Sequence, residues 1–367
     1  MRSSGRPRRF SCEQCGAVLA YEPGTTELVC AWCGHRNRIR EPATELVEQD
    51  FAALPAGLAE ERIAEAPEPA TCEACGAGFE FAPGLHAGPC PFCGQAVVVD
   101  PGRSRRLVPQ AVLPFLIGEP EARRLVESWL KGLWFAPSRL TTEARSESRL
   151  SGRYLPYWTF DSRTRARYAG RRGDVYYVPV QVTAVVDGRR TRQTRMEPRV
   201  RWTPVAGEIA RDFDDVPVAA GSSVPEALQA PLEPWDLDGL KPYTPAFLPG
   251  FESELYQLPV GQGFAKARER MQEMLRDAVR HDIGGDQQII ERLEIDWRDP
   301  TFKLVLLPVW TKRLAYIGRS WRVLVNARTG EVHGERPWSV WKITAAILAA
   351  LLAAGALALL LHATGSL

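Results

Sequence analysis

The sequence predicts an α+β chain in three parts. Four Cys-x-x-Cys pairs fall within the first hundred residues, in two sets of identical spacing. From Leu107 onward, amphipathic segments of helical period precede segments that alternate with period two, and the order recurs. Ile343 to Leu361 is a run of nineteen residues without a charge, built almost wholly from Ala, Leu and Ile. These features predict two metal-held ribbons, then two tandem helix-plus-antiparallel-sheet units, then one C-terminal membrane helix.

The chain has 367 residues, 46 Lys and Arg against 44 Asp and Glu, and a net charge of +2. Its length supports two or three domains with proper cores. So balanced a charge excludes a global polyanion footprint and leaves only local basic patches. Met1 to Arg9 carries four Arg and no apolar core, so it does not read as a secretory signal. The eight Cys are then expected in a reducing compartment, as metal ligands rather than disulfides.

Cys12-Glu-Gln-Cys15 with Cys30-Ala-Trp-Cys33 repeats as Cys72-Glu-Ala-Cys75 with Cys90-Pro-Phe-Cys93 at an offset of sixty, with fourteen residues between the pairs in both copies. Gly16, Gly34, Gly76 and Gly94 follow the pairs directly, as a tight metal knuckle requires. Two knuckles close on one Zn²⁺, so Cys12, Cys15, Cys30 and Cys33 form one site (residues 1–40) and Cys72, Cys75, Cys90 and Cys93 a second (residues 70–100). Four thiolates leave no open position, which makes both zinc ions structural. Residues 1–40 carry seven Arg against three acids, whereas residues 70–100 carry three acids and no Lys or Arg. Between them, residues 41–69 hold eight acids and one Arg and read as an acidic linker with short helices at Leu46–Leu54 and Leu58–Ala64.

In the first central unit (107–220), Glu119–Trp134 is the helix, with Ala122, Leu125, Val126, Trp129, Leu130 and Leu133 on one face. Strands are expected at Tyr157–Tyr168, Val175–Val186, Arg190–Trp202 and Glu208–Val218, with Asp187-Gly188 as a hairpin. The second unit (221–335) repeats the grammar. Leu258-Pro259 precedes the helix Phe264–His281 as Leu113-Pro114 precedes the first, and Leu307-Pro-Val-Trp310-Thr echoes Leu155-Pro-Tyr-Trp158-Thr. Its strands are Gln288–Trp297, Phe302–Tyr316, Ser320–Asn326 and Glu331–Gly334. The turn Asn326 to Glu331 resembles the hairpin of PepSY-like modules, and the units are expected to be cystatin- or PepSY-like.

No catalytic or cofactor-binding constellation stands out. His281-Asp282 with Gly284-Gly285-Asp286 reads as a helix end with its glycine cap. Asp212, Asp214 and Asp215 read as a solvated strand edge, and Gly261-Gln-Gly263 lacks the rest of a dinucleotide fingerprint. No Gly-Lys dipeptide occurs, so the phosphate cradle of an ATP-driven motor is absent from the sequence. Five Arg lie between Arg163 and Arg172 and six between Arg189 and Arg201. Arg163, Arg165 and Arg167 alternate along one strand, a candidate face for anionic lipid or for nucleic acid.

At about 1.5 Å per residue, Ile343–Leu361 covers roughly 28 Å, enough to cross a bilayer. Trp338 and Trp341 sit at interface depth, with Arg336 and Lys342 as the positive flank. Residues 340–362 therefore read as a single-pass anchor, with the body on the cytoplasmic side of the cytoplasmic membrane.

The ribbons, Leu-Lys-Gly-Leu-Trp134-Phe135-Ala136-Pro137, the two Trp motifs and Ile283-Gly284-Gly285-Asp286 together resemble a bacterial family of TFIIB-type zinc-ribbon membrane proteins. Its members are commonly labelled primosomal protein N′ (replication factor Y) or superfamily II helicase. The resemblance implies association with phage-shock-type and flotillin-like membrane proteins. Two functions are thus expected in competition: a non-enzymatic membrane-anchored adaptor that recruits cytoplasmic partners, and a nucleic-acid-binding replication factor without a motor.

Overall fold

The computed structural model describes residues 10–40, 42, 46–54, 69–82, 84–99, 107–137, 150–186, 189–317 and 319–363. The first Cys set carries β1 (Leu19–Tyr21), β2 (Glu27–Cys30) and β3 (Arg36–Arg38), a small antiparallel sheet of its own. β4 (Gln49–Asp50) follows, then β5 (Pro69–Thr71), β6 (Gly78–Glu80), β7 (Leu85–Pro89) and β8 (Ala96–Val98) around the second Cys set. Next come β9 (Ala111–Val112), α1 (Glu119–Gly132), β10 (Ser151–Val186), β11 (Arg189–Ala219), β12 (Lys241–Pro242) and β13 (Glu252–Glu254). α2 (Val260–Ile283), β14 (Gln287–Tyr316), β15 (Arg319–Asn326), β16 (Val332–Gly334) and α3 (Val340–Ala363) complete the described chain.

One mixed sheet of eleven strands organises the molecule, and its spine is the order β11-β10-β14-β15. Where four strands are expected between Tyr157 and Val218, two very long ones run: β10 has 36 residues and β11 has 31. Gly170 and Gly173, which interrupt the alternation, do not end β10. A Cβ on Gly170 would stand 2.2 Å from the Ile289 carbonyl oxygen, and the ladder shifts register between Ala169 and Gly170, so the glycine admits a bulge. Pro198, Pro204 and Pro217 are tolerated in β11 because it pairs with β10 alone among the described strands. Gln288–Trp297 and Phe302–Tyr316 likewise merge into β14.

The two tandem units are not separate bodies. Leu155 of one Trp motif pairs directly with Leu307 of the other, and the flanking pairs Trp158 with Leu304 and Gly152 with Trp310 interchange under a shift of 152 residues. A local two-fold therefore passes through Leu155 and Leu307. Across it the halves exchange their leading elements: β9, ahead of α1, runs parallel to β14, while β13, ahead of α2, runs parallel to β10. Each motif tryptophan seals the exchange. Trp158 Nε1 donates to the Leu258 carbonyl at 2.9 Å, and Trp310 Nε1 donates to the Ile117 carbonyl at 2.8 Å. These carbonyls lie just ahead of α2 and α1, where irregular backbone needs a donor.

Packing follows the exchange. The α2 stripe of Val260, Ala267, Met271 and Leu275 covers Trp158, Phe160, Ala166, Phe213 and Phe302. Gly263, weighed above as part of a nucleotide fingerprint, lies under the indole instead, since a Cβ there would meet Trp158 at 2.8 Å. The expected α1 face holds: Ala122, Val126 and Leu130 are buried with Leu125, Trp129 and Leu133 beside them, against Trp310, Leu314, Val323 and Val325.

The N-terminal ribbons are docked rather than strung. The first shares the α1 core, where Tyr21 meets Phe247 edge-on at 5.4 Å and its hydroxyl donates to the Thr25 carbonyl at 2.8 Å. The second is split, with β5 and β6 forming their own pair while β7 and β8 join the main sheet through β13. The expected helix over Leu46–Leu54 is instead β4, paired to Thr301 and Phe302 of β14, followed by one 3₁₀ turn at Phe51–Ala53. Phe51 packs against Phe264 and Phe302, so burial on the sheet overrides local helix preference. The second linker helix, Leu58–Ala64, lies outside the described residues, as does the Asp187-Gly188 turn.

Candidate metal centres and charged surfaces

Both Cys sets converge. Within each set the four sulfurs lie within 4.8 Å of one another. Cys12 and Cys33 are 3.6 Å apart, Cys15 and Cys30 3.5 Å, Cys72 and Cys93 3.6 Å, and Cys75 and Cys90 3.9 Å. A tetrahedral site with metal–sulfur bonds of about 2.3 Å has edges of roughly 3.8 Å, whereas a disulfide needs about 2.05 Å, so these are metal sites in shape. Local backbone makes each knuckle. Gly16, Gly34, Gly76 and Gly94 have φ of 71°, 72°, 72° and 74° and donate back to Cys12, Cys30, Cys72 and Cys90. That left-handed turn is what lets two sulfurs point at one ion.

The thiols are poised in opposite directions. The backbone of Cys33, against burial, brings the Cys30 thiol down to about 6. Burial disfavours the Cys72 thiolate, but the backbone of Cys75 and Ala74 outweighs it and brings the thiol to about 7. Cys15 keeps a lowering bond from Ala17, yet Cys33, burial and the other thiols push it up to about 12. Cys93 keeps one from Gln95 and is pushed to about 12 by burial and its three sulfur neighbours. Four sulfurs so close all become thiolates only around a cation, and these residues fit one.

The two ribbons also present the same feature outward. Trp32, between Cys30 and Cys33, is 85 % exposed, and Phe92, between Cys90 and Cys93, is 70 % exposed. They are equivalent positions of the sixty-residue repeat, and the second knuckle of each ribbon thus carries a bare aromatic ring.

The Arg row of β10 is neutralised by its neighbours. Arg163 stands opposite Asp212, Arg165 opposite Asp296, and Arg167 between Glu208 and Glu294. Arg163 pairs with Asp299 at 3.1 Å and Arg165 with Glu208 at 3.4 Å. The second Arg group lies farther along the same ladder, beyond the stretch that carries Arg163, Arg165 and Arg167. Beyond Gly173, where β14 ends, β10 and β11 continue as a two-stranded arm of roughly 40 Å at about 3.3 Å per residue. On the arm Arg192, Arg195 and Arg199 lie opposite Thr183, Val180 and Tyr176, with no acid facing them across the described ladder. Arg195 and Arg199 lie on one face of the arm, whereas Arg192 shares the other with Tyr177 and Met196, which are 61 % and 54 % exposed.

One cluster escaped sequence reasoning. Lys303, only 7 % exposed, pairs with Asp215 at 2.8 Å and Glu48 at 3.0 Å. Thr301 donates to Glu48 and to Asp161, at 2.7 and 2.9 Å. Burial, reinforced by Glu48, holds the Asp161 carboxyl up at about 7. Asp212 and Asp214 are exposed, but Asp215 is not the solvated edge expected of it: with φ of 51° it turns inward at a bulge onto Lys303. Glu48, Asp161 and Asp214 come close enough to surround a cation, yet Lys303 already supplies the positive charge. The cluster pins the linker strand β4 to the sheet. Its members come from four segments of the chain, each more than fifty residues from the next, so no spacing could announce it.

The other weighed residues hold α2 and β10 in place. Gly284 caps α2 with φ of 66°, Asp282 accepts from the Tyr168 hydroxyl at 2.5 Å, and Asp286 accepts from the Val175 N–H at 2.7 Å. No residue of α3 from Val340 to Ala358 is buried, and the helix is long and apolar enough to cross a membrane.

The chain is similar to the uncharacterized protein YdjG of Bacillus subtilis (strain 168), with 25 % identity over 337 residues and 92 % of each chain covered. No family model and no solved structure matches it. A likeness of that extent runs well beyond the eight cysteines.

Proposed function

We propose that this chain is a non-enzymatic, membrane-anchored scaffold that presents two zinc ribbons to partner proteins on the cytoplasmic side of the membrane. The observation that carries the reading is the pair of closed four-sulfur sites, each carrying an exposed aromatic, on a body continuous with an apolar helix. Four sulfur ligands suit zinc and leave it no open position for chemistry. Exposed Trp and Phe on a rigid turn are efficient anchors, because little conformational entropy is lost when a partner's pocket closes on them. The resemblance to TFIIB-type zinc-ribbon membrane proteins favours partners of the phage-shock and flotillin kind.

Because β4, β7 and β8 are strands of the main sheet, removing the first hundred residues would lay its edges bare. Trp32→Ser with Phe92→Ser is the cleaner test. Chemical crosslinking in native membranes should yield protein adducts that the double variant loses while keeping two metal ions per chain and its place in the membrane fraction. Unchanged adducts would remove the ribbons as the working surface.

The basic arm supports a second reading, binding of nucleic acid without a motor. Arg192→Gln, Arg195→Gln and Arg199→Gln together should then weaken DNA binding and flatten its salt dependence, while the same changes at Arg163, Arg165 and Arg167 should not. No DNA binding by the full chain at low salt would dispose of it.

A further inference from the structure

The β14–β15 hairpin ends beside α3. Tyr316 and Arg319 form its last described pair, and Ile317 follows with φ of 49° and 81 % exposure. Hairpin tips normally place Asn, Asp or Gly at such an angle. A β-branched residue there is strained, and an isoleucine this bare gains nothing from burial in the protein. An apolar environment outside the chain would account for the exposure and offset the cost of the strain.

The neighbours identify that environment. A groove of about 590 Å³ is lined by Ile317, Arg319, Trp321, Trp338, Val340 and Trp341. Trp338 is 56 % exposed and Trp341 86 %, and the Arg336 guanidinium stacks 4.4 Å over Trp338. Lys342 donates to the Ala136 carbonyl at 2.8 Å, which ties the first turn of α3 to the end of the α1 segment. The hairpin tip meets α3 around Val340, only three residues ahead of the uncharged run, or roughly 5 Å at about 1.5 Å per residue. That is headgroup depth. Exposed tryptophans, cations and a bare aliphatic side chain at one level match the chemistry of a bilayer interface, where rings sit among headgroups and guanidinium groups meet phosphates.

We propose that the β14–β15 hairpin is a second membrane contact: Ile317 enters the interface of the bilayer that α3 spans, and Arg319, with Arg336, binds the phosphate of an anionic phospholipid in the groove against Trp338 and Trp341. The proposal rests on the membrane-anchored reading above. Two contacts on one bilayer fix the tilt of the body, which a lone helix and a short connector would leave free.

The test uses the full, metal-loaded chain in nanodiscs of phosphatidylglycerol and phosphatidylcholine. The photocrosslinker p-benzoylphenylalanine in place of Ile317 should give lipid adducts by mass spectrometry, and the same group in place of Tyr177 on the arm should give none. Arg319→Gln should lower phosphatidylglycerol retained in native mass spectra by about fivefold, the effect of one arginine at an anionic surface, with phosphatidylcholine unchanged. Insertion without a lipid adduct at 317, or retention indifferent to Arg319→Gln, overturns this proposal and leaves the anchor standing. A chain that does not enter nanodiscs at all overturns both.

Discussion

The two halves of the internal repeat start from one motif and end as different devices. From the two-fold at Leu155 and Leu307, β10 runs on for 31 residues to Val186, whereas β14 runs on for nine to Tyr316. The helix over the long half, α2, has 24 residues, and α1 over the short half has 14. Both halves keep the indole-to-carbonyl seal, so what is shared is the crossing and what varies is reach. The short half carries the first ribbon against α1 and stops beside α3; the long half carries the arm away from it. Elongating a hairpin adds ladder pairs without disturbing the crossing, which is why one half can change length so far.

The largest effect expected on this comparison comes from the metal sites. A structural zinc contributes on the order of 10 kcal/mol to folding of such a module. Cys12→Ser should reduce bound metal from two ions to one and lower the cooperative unfolding transition of the whole body, because the first ribbon lies in the α1 core. Cys72→Ser should also cost one ion but chiefly melt the second ribbon's own small core. Elemental analysis with thermal unfolding checks both, and loss of both ions from either variant would show one intertwined site.

Next in size is Lys303→Met. Removing the cation leaves Glu48, Asp161 and Asp215 facing one another, and a buried pair broken on one side costs about 3–5 kcal/mol. Denaturant unfolding measures this, and protection of β4 amides from hydrogen exchange should vanish first. A change below about 1 kcal/mol would mean the cluster is solvated.

Trp158→Phe and Trp310→Phe test the equivalence of the halves directly. Each removes one indole donor from a carbonyl and should destabilise by about 1–3 kcal/mol. If only one is costly, the crossing is not symmetric in energy.

A further test lies in pH. Asp161 is held at about 7 in the folded chain, by burial first and then Glu48, against about 3.9 when unfolded. The folded state thus binds this proton more tightly, so stability falls as pH rises from about 4 to about 7 and levels off above. Glu48 is shifted downward, so its own contribution is lost only as pH falls below that window. Asp161→Asn should flatten the slope, and an unchanged slope would assign it elsewhere.

Local signals were legible. The Cys spacing grouped the eight cysteines into the two four-sulfur sets that converge, because a knuckle is closed by four consecutive residues and a glycine. The α1 and α2 faces were legible because their period is intrinsic to the helix. Strand ends were misread at Gly170 and Gly173, since the same residue that stops a strand also permits a bulge in a longer one.

By itself the sequence determined the two four-sulfur sets, the amphipathic helices, the apolar C-terminal run and the repetition of the Trp motif, all of which depend on residues near one another in the chain. Only the tertiary structure decided that the repeats exchange helices across one sheet, that Arg163, Arg165 and Arg167 meet acids on both sides, and that Lys303 gathers Glu48, Asp161 and Asp215. Each of these depends on strand register between segments more than forty residues apart, and register follows from which side chains fit together once the sheet has closed.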